Sequence, residues 1–414
     1  SANSSFRLGD ERYEELRLKL DKLLLQEHIY TEPHITIDTL MQRMCTNANY
    51  ISEVIRRSGY QSFYDMINSY RVRHAISLIQ KNPDEKLFLQ TVEEVLLSVE
   101  PLIDAHPEYE AACILQDKSR FRQFLTDNGF NCPTAKGYDN MDEALQEAGI
   151  FHWPVIVKPV DSAGSKGVSR VDERGDLRAA IEFAISESHN GHFIVEDFLE
   201  LEGYQSSADC FSVNGKLLYA DYSDQLFDKS AANPYTPAIE IWPSSMPQER
   251  QDELTKELQR LITLLGCKTG LYNVESRVCK NGKAYIMEVS PRAGGNRIAE
   301  LQRIGTGIDL IEAEVLKALG QPVKEIPSPK YDGCYVNDII HSDREGTFKR
   351  VDYAEGFKEK HVLSEAIYPQ EGGYVEAFKG ANNAVGSVFL HFNNRNEVDR
   401  YVANHGSNIK VVVE

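Results

Sequence analysis

Apolar residues recur near a 3.6-residue period through the first part of the chain. Leu16, Leu18, Leu20, Leu23 and Leu24 stand among charges within residues 12–26, and residues 36–44, 49–57 and 63–80 repeat the pattern. This predicts a series of amphipathic helices. Lys81-Asn82-Pro83-Asp84 is a helix stop and a candidate domain boundary. After Pro133 the texture changes. Val155-Ile156-Val157, Phe193-Ile194-Val195, Ala284-Tyr285-Ile286-Met287, Cys334-Tyr335-Val336 and residues 409–413 read as short strands, alternating with helical stretches at 177–188 and 247–265. The expected class is α/β, of the α+β kind, behind a mostly helical N-terminal domain.

The chain has 414 residues, 42% hydrophobic and 26% charged, as in ordinary globular proteins. Its net charge of −18 argues against a surface that binds nucleic acid all over. The seven cysteines are widely spaced with no C-x-x-C, which points to free thiols and a cytoplasmic setting. No apolar run approaches the roughly 18 residues of a membrane span, and neither a leader peptide nor a membrane partner is expected.

Two segments carry candidate chemistry. A strand ending in Lys158-Pro159 runs into Asp161-Ser162-Ala163-Gly164-Ser165-Lys166-Gly167-Val168. Glycines let backbone N–H groups approach phosphate oxygens, and lysines add point charges. The pattern is not a Walker A loop, and by itself it also fits an ordinary turn. Further on, Glu275 lies on one expected strand and Glu288 on the next, joined by Lys280-Asn281-Gly282-Lys283. Asn-Gly is a strong hairpin signal, and an antiparallel hairpin can set the two glutamates side by side. Paired carboxylates repel, which a hard cation such as Mg²⁺ relieves while it binds nucleotide phosphates. Arg292, just beyond, is placed to stabilise charge on a transferred phosphoryl group. The plain alternative is a pair of solvated hairpin glutamates.

Taken in order, Asp117-Lys118, Val157-Lys158-Pro159, the Ser-Lys-Gly loop, Val195-Glu196-Asp197-Phe198-Leu199, Glu275 and Met287-Glu288-Val289-Ser290-Pro291-Arg292-Ala293-Gly294-Gly295 resemble the ATP-grasp superfamily. The likeness is to its carboxylate–amine ligases and carbamoyl-phosphate synthetase-like members, over about residues 110–414. The resemblance implies two α+β subdomains sandwiching ATP. Lys118 and Lys158 would meet its phosphates, under a loop of Ser162, Gly164, Ser165, Lys166 and Gly167. Glu196, Asp197, Phe198 and Leu199 would form the adenine hinge. Glu275 and Glu288 would hold one or two Mg²⁺ ions, with Mn²⁺ as the alternative. Ser290 stands where the family usually has an Asn ligand. Gln205, or alternatively Glu202, stands where an acidic residue usually holds the ribose. Arg292 and Lys166 would serve the phosphoryl transfer. Candidate substrate contacts are Asp224, Lys229, Arg292, Gly294, Gly295 and Arg297, any of which also fits a solvated loop.

The implied reaction is Mg-ATP activation of a carboxylate as an acyl phosphate, followed by attack of an amine. Its partners are then a small carboxylate and a small amine, with a homo-oligomer allowed. Residues 35–80 resemble part of an AraC-type helix-turn-helix domain, making DNA a candidate partner. Residues 1–86, however, carry 12 Lys and Arg against 12 Asp and Glu. Two alternatives follow: a ligand sensor in a DNA-binding regulator, or a bicarbonate-dependent carbamoyl-phosphate or carboxylase-type enzyme. The expected domains are 1–88 (helical), 89–137 (a remnant of the region preceding such folds), 138–330 (nucleotide fold, divided at 200/201) and 331–414 (small C-terminal subdomain).

Overall fold

In the N-terminal segment Leu16, Leu20, Leu23 and Leu24 bury one side of the helix Asp10–Leu25, while Leu18 faces solvent. The computed structural model describes residues 9–74 apart from 33, 34, 61, 65, 68 and 72, and residues 107–414 apart from 163, 164, 319 and 324. The chain divides into two units, residues 1–106 with 318–321 and residues 107–317 with 322–414. In the first unit, Thr36 and Thr39 form a capping box that starts the helix Ile37–Met44. Cys45 ends that helix in the left-handed region, and Asn47 caps the next helix, Ala48–Arg57, by accepting from Tyr50 N at 3.1 Å. Leu40, Ile51, Val54, Met66 and Ile67 close its core against the leucines. The rest of the fourth expected helix beyond residue 74, the stop at Lys81–Asp84 and the expected remnant 89–137 as far as residue 106 lie outside the described residues.

The second unit begins with the helix Pro107–Gln116 and a second helix, Lys118–Asp127, capped by Asp117, which accepts from Arg120 N at 2.9 Å. Four sheets follow, and every recorded strand pairing is antiparallel. The first contains β1 (Ala135–Tyr138), β2 (Val155–Pro159), β3 (Ser169–Val171) and β4 (Phe193–Asp197), in the order β1-β4-β2-β3. The helix Leu177–Ser186 packs Ile181 and Ala184 onto Val155, Val157 and Val195 of this sheet.

The second sheet has the order β10-β9-β5-β6, from β5 (Ser206–Val213), β6 (Lys216–Tyr222), β9 (Gly270–Val278) and β10 (Ala284–Ser290). One face is covered by Leu254, Leu258, Leu261 and Ile262 of the helix Gln248–Leu264. Against that helix β9 turns Tyr272, Val274 and Val278. Asn273, Glu275 and Arg277 alternate onto the other face, as strand geometry requires.

The third sheet contains β7 (Asp224–Phe227), β8 (Pro237–Trp242), β11 (Cys334–Asp338), β13 (Val362–Ile367) and β15 (Gly386–Phe392), in the order β13-β15-β11-β8-β7. Three strands from residues 331–414 (β11, β13 and β15) therefore share a sheet with β7 and β8. The fourth is small: β12 (Gly346–Tyr353) between β14 (Tyr374–Val375) and β16 (Ile409–Val413). Architecturally, the expectation of α+β subdomains behind a helical N-terminal unit is met.

Candidate active site

Glu275 and Glu288 are direct partners across β9 and β10. A bulge between Ile286 and Glu288 makes this so. In a regular strand Ile286 and Glu288 would share a face. The extra residue, Met287, switches the alternation. Ala284, Ile286 and Val289 therefore enter the core, while Glu288 turns to the side of Glu275. Burial, and then the charge of Glu288, push the Glu275 carboxyl upward. That is the electrostatic state that a bound cation relieves. Ser290 lies on the same strand, opposite Asn273. Among the described residues no group of three or more His, Cys, Asp or Glu side chains is arranged to hold a metal ion.

Two lysines converge here. Lys118 Nζ donates to Ser162 O at 2.8 Å and lies 3.7 Å from Glu288 Oε2. Lys158, on β2, donates to Glu196 Oε1 at 2.5 Å. The other Glu196 oxygen accepts from Arg122 Nε at 2.8 Å, and Arg122 Nη1 donates to Met287 O at 2.7 Å, which ties the first sheet to the bulge. Burial alone would raise the Glu196 carboxyl, but Arg122 and Lys158 hold it at about 2. Burial pulls the Lys158 ammonium down; Glu196 works against this, while the cationic neighbours Arg122 and Lys118 add to it. A phosphate group placed here would bring further negative charge to the lysines.

Of the expected loop, Gly164 lies outside the described residues. Ser162 Oγ donates to Glu187 O, Ser165 Oγ to Tyr235 O at 2.9 Å, and Lys166 is exposed. Gly167 has φ +69°, and a Cβ there would stand 2.7 Å from Pro159 Cγ and 2.9 Å from Glu187 Cβ, so only glycine fits. In the hinge segment, Asp197 N donates to Thr134 O and Phe198 N to Pro154 O. The Asp197 carboxylate is engaged by His152 N and Nδ1, at 2.8 and 2.9 Å. Leu199 is half-buried, and Glu202 is exposed with its N–H on Val278 O.

Several expectations change. The Glu196 side chain is the buried anion between Arg122 and Lys158, which leaves the hinge role expected of this segment to its backbone groups. Gln205 is buried and turned inward: its Nε2 donates to Gln225 Oε1 at 2.8 Å and lies 3.4 Å from Glu275 Oε2, and its Oε1 accepts from Arg277. In this arrangement the Gln205 amide is committed to Gln225 and Arg277, beside Glu275. Asp224 is buried on β7 and committed to Ser244 Oγ, Ser245 N and Arg395 Nη1, at 2.6, 2.9 and 2.6 Å. Arg297 is clamped to Glu300 by two hydrogen bonds and stacks over Phe389, 4.3 Å from the ring centroid. It is therefore not a free cation. Lys229 and Arg292 are exposed, and Arg292 Nη1 donates to Ala293 O. Gly294 N donates to Asp209 Oδ1 at 3.0 Å, with no room for a Cβ between Asn273 and Ile298, whereas Gly295 is exposed.

The patterns above did not mark Arg122, Asp209, Gln225, Glu240, Asn273 or Arg277. Asn273 Nδ2 donates to Asp209 Oδ1 at 2.9 Å and to Ser207 Oγ at 3.1 Å. Burial raises the Asp209 carboxyl to about 6. The one local signal was Glu240, a lone acid inside the apolar run 237–242.

A family model described as "ATP-grasp domain" matches residues 151–300. The carbamoyl phosphate synthase large chain of Ralstonia nicotianae is 26% identical over 228 residues, covering 54% of this chain and 20% of that protein. The C-terminal section of the Aquifex aeolicus large chain is 26% identical over 211 residues, covering 51% and 38% respectively. The chain thus spans about a fifth to two fifths of the length of these relatives. Among solved structures, the L-amino acid ligase from Bacillus licheniformis superposes with a TM-score of 0.62 at 20% identity, over 78% of both chains. Phosphoribosylglycinamide synthetase from Anaerococcus prevotii gives 0.53 at 19% identity, over 74% of this chain and 76% of that one.

Proposed function

We propose that this chain, which carries an ATP-grasp domain over residues 151–300, is an ATP-dependent carboxylate–amine ligase. The observation that carries this reading is the register that sets Glu275 directly opposite Glu288, with Lys118 3.7 Å from Glu288. A substrate carboxylate oxygen attacks the γ-phosphorus and the bond to the β-phosphate oxygen breaks, releasing ADP. An amine nitrogen then attacks the acyl carbon, phosphate leaves with the bonding pair, and the amine proton passes to solvent. The first step brings two anions together. Lys118 and Lys158 draw the phosphates in, and Glu275 and Glu288 are the residues that would hold Mg²⁺. The bound ion supplies charge neutralisation and alignment of the phosphate oxygens. Ser162, Ser165 and Lys166 belong to the loop that would cover the phosphates and keep water from the acyl phosphate. Among the described residues no helix is long and apolar enough to cross a membrane, and a cytoplasmic enzyme is the setting that suits ATP as substrate.

The test is phosphate release from Mg-ATP, screened over small acids and amines. Release that requires both an acid and an amine, and that falls by about 100-fold or more in Glu288→Gln, is the expected result. Full turnover in Glu288→Gln ends this reading, and release on bicarbonate alone redirects it to a carboxylase-type reaction.

A second reading rests on the N-terminal unit, where Ile37–Met44 and Ala48–Arg57 are joined by the short turn at Cys45 to Asn47. Such a pair is the shape of a helix-turn-helix, and DNA binding would make the ligase fold a sensor. Fluorescence anisotropy against duplex DNA decides it: a steep salt slope supports DNA binding, and no binding at low salt removes it.

A further inference from the structure

β8 runs Pro237 to Trp242, and its residues Ile239 and Ile241 enter the apolar core. Glu240, between them, points the other way and is 1% exposed. Its Oε1 accepts from Gln225 Nε2 at 3.1 Å. Its Oε2 is buried and has no hydrogen-bond partner among the described residues. Leaving a carboxylate oxygen so costs free energy that a fold does not keep without a use.

Glu240 also stands at the end of a polar chain. Gln225 Oε1 accepts from Gln205 Nε2 at 2.8 Å, and that nitrogen is 3.4 Å from Glu275 Oε2. One end of the chain is thus the carboxylate pair, with Glu288 one-third exposed, and the other is an unsatisfied acceptor. Its electrostatic neighbours are acidic, since Asp209 and Glu275 both act on it, and among the described residues no cationic side chain is paired with it.

We infer that Glu240 Oε2 receives the ammonium group of an amino-acid substrate whose carboxylate is presented to the Glu275–Glu288 pair. This rests on the ligase reading and names its substrate class. An ammonium is donor-only and positively charged, so it answers both the missing donor and the surplus of acid. A neutral hydroxyl would answer only the first, and a second carboxylate would be repelled. The amine held here is the acid substrate's own. Paired with a carboxylate it keeps its proton, and a protonated amine is no nucleophile, so the attacking amine comes from elsewhere. Burial, then its acidic neighbours, push the Glu240 carboxyl to about 8. It is therefore neutral while the site is empty and releases its proton to solvent as the ammonium docks.

The experiment compares phosphate release by wild type and Glu240→Gln, with the common amino acids set against their des-amino counterparts (acetate, propionate, 3-phenylpropionate). Glutamine keeps the shape and the contact with Gln225, and calorimetric Mg-ATP binding and thermal unfolding monitor the fold. We expect wild type to use amino acids and to reject the des-amino acids. We expect Glu240→Gln to lose roughly 10- to 100-fold in kcat/KM for the amino acid, the size of a charged hydrogen bond, with Mg-ATP affinity unchanged. Equal use of des-amino acids by wild type, or an unaltered amino-acid kcat/KM in Glu240→Gln, overturns the inference and leaves the ligase intact. If no acid elicits phosphate release from wild type, the ligase reading fails and takes this one with it.

Discussion

Glu196 sits between two cations with 3% of its surface exposed, so its worth depends on both staying in place. Replacing it by Gln strands Arg122 and Lys158 as buried charges, and we expect a loss of about 3–5 kcal/mol in urea unfolding at pH 7. The pH dependence has a definite sign. The carboxyl lies at about 2 in the folded chain against 4.5 ordinarily. Its ionised form therefore stabilises above about pH 4.5, and that contribution, about 3 kcal/mol, is lost as pH falls from 4.5 through 2. The gap between wild type and Glu196→Gln should narrow over that window, and a constant gap would remove Glu196 from the ion triad. Glu240 behaves oppositely. Raised from 4.5 to about 8, it stays protonated in the folded chain while the unfolded chain ionises. Wild-type stability should fall as pH rises from 5 to 8, and Glu240→Gln should recover roughly 2–4 kcal/mol at pH 8. Equal slopes for the two proteins would show that Glu240 is already ionised. Glu240 stood out in the sequence only as a lone acid in an apolar run, and the pairing of Glu196 with Arg122 left no such mark. Arg122 lies 74 positions from Glu196, a partnership that no local pattern records.

At the level of elements, the strands that could be read were those with a clean signal. Val155–Pro159 alternates, and Ile409–Val413 is a β-branched run. β5 could not be read so. Its residues Ser206, Ser207, Asp209 and Ser212 are buried together with its apolar ones, so neither face alternates, and Ser207, Asp209 and Ser212 are met by Ser223, Asn273 and Lys268 O. β7 opens on Asp224, which read as a loop residue until Ser244 and Arg395 were seen to bond it. The hairpin of β9 and β10 was legible through Asn281-Gly282, but the bulge at Met287 was not, because a bulge leaves no compositional mark. Gly167 tests the loop as an element. Its positive φ and the 2.7 Å approach to Pro159 mean that Gly167→Ala must move the loop, at a cost of about 1–2 kcal/mol. We expect a small fall in Tm and a rise of about tenfold in KM for ATP. An unchanged KM for ATP would take this turn away from the phosphates.

Across the second unit, the chain gathers Lys118, Lys158, Glu275 and Glu288 from four separate segments. Lys118 reaches Ser162 and Glu288, and Arg122 bonds both Glu196 and Met287. The order of the motifs was visible beforehand, yet their convergence is a property of the sheets. The first sheet supplies Lys158 and the second supplies both glutamates. The helix Lys118–Asp127 bridges the two sheets. A ligand that binds such a junction must stabilise the whole unit, since it favours the assembled state alone. Mg-ATP at about 100 times its Kd should add about 2.7 kcal/mol, a rise of several degrees in the melting transition of residues 107–414. Removing Mg²⁺ should abolish most of the rise, because the Glu275 carboxyl, already pushed up by burial and by Glu288, then faces triphosphate with no cation between them. Glu288→Gln tests the same point from the protein side. With one charge of the pair removed, the remaining stabilisation by ATP should depend little on Mg²⁺. Should the variant keep the full magnesium-dependent rise, the ion is held elsewhere, and the pairing across β9 and β10 is a feature of the hairpin alone.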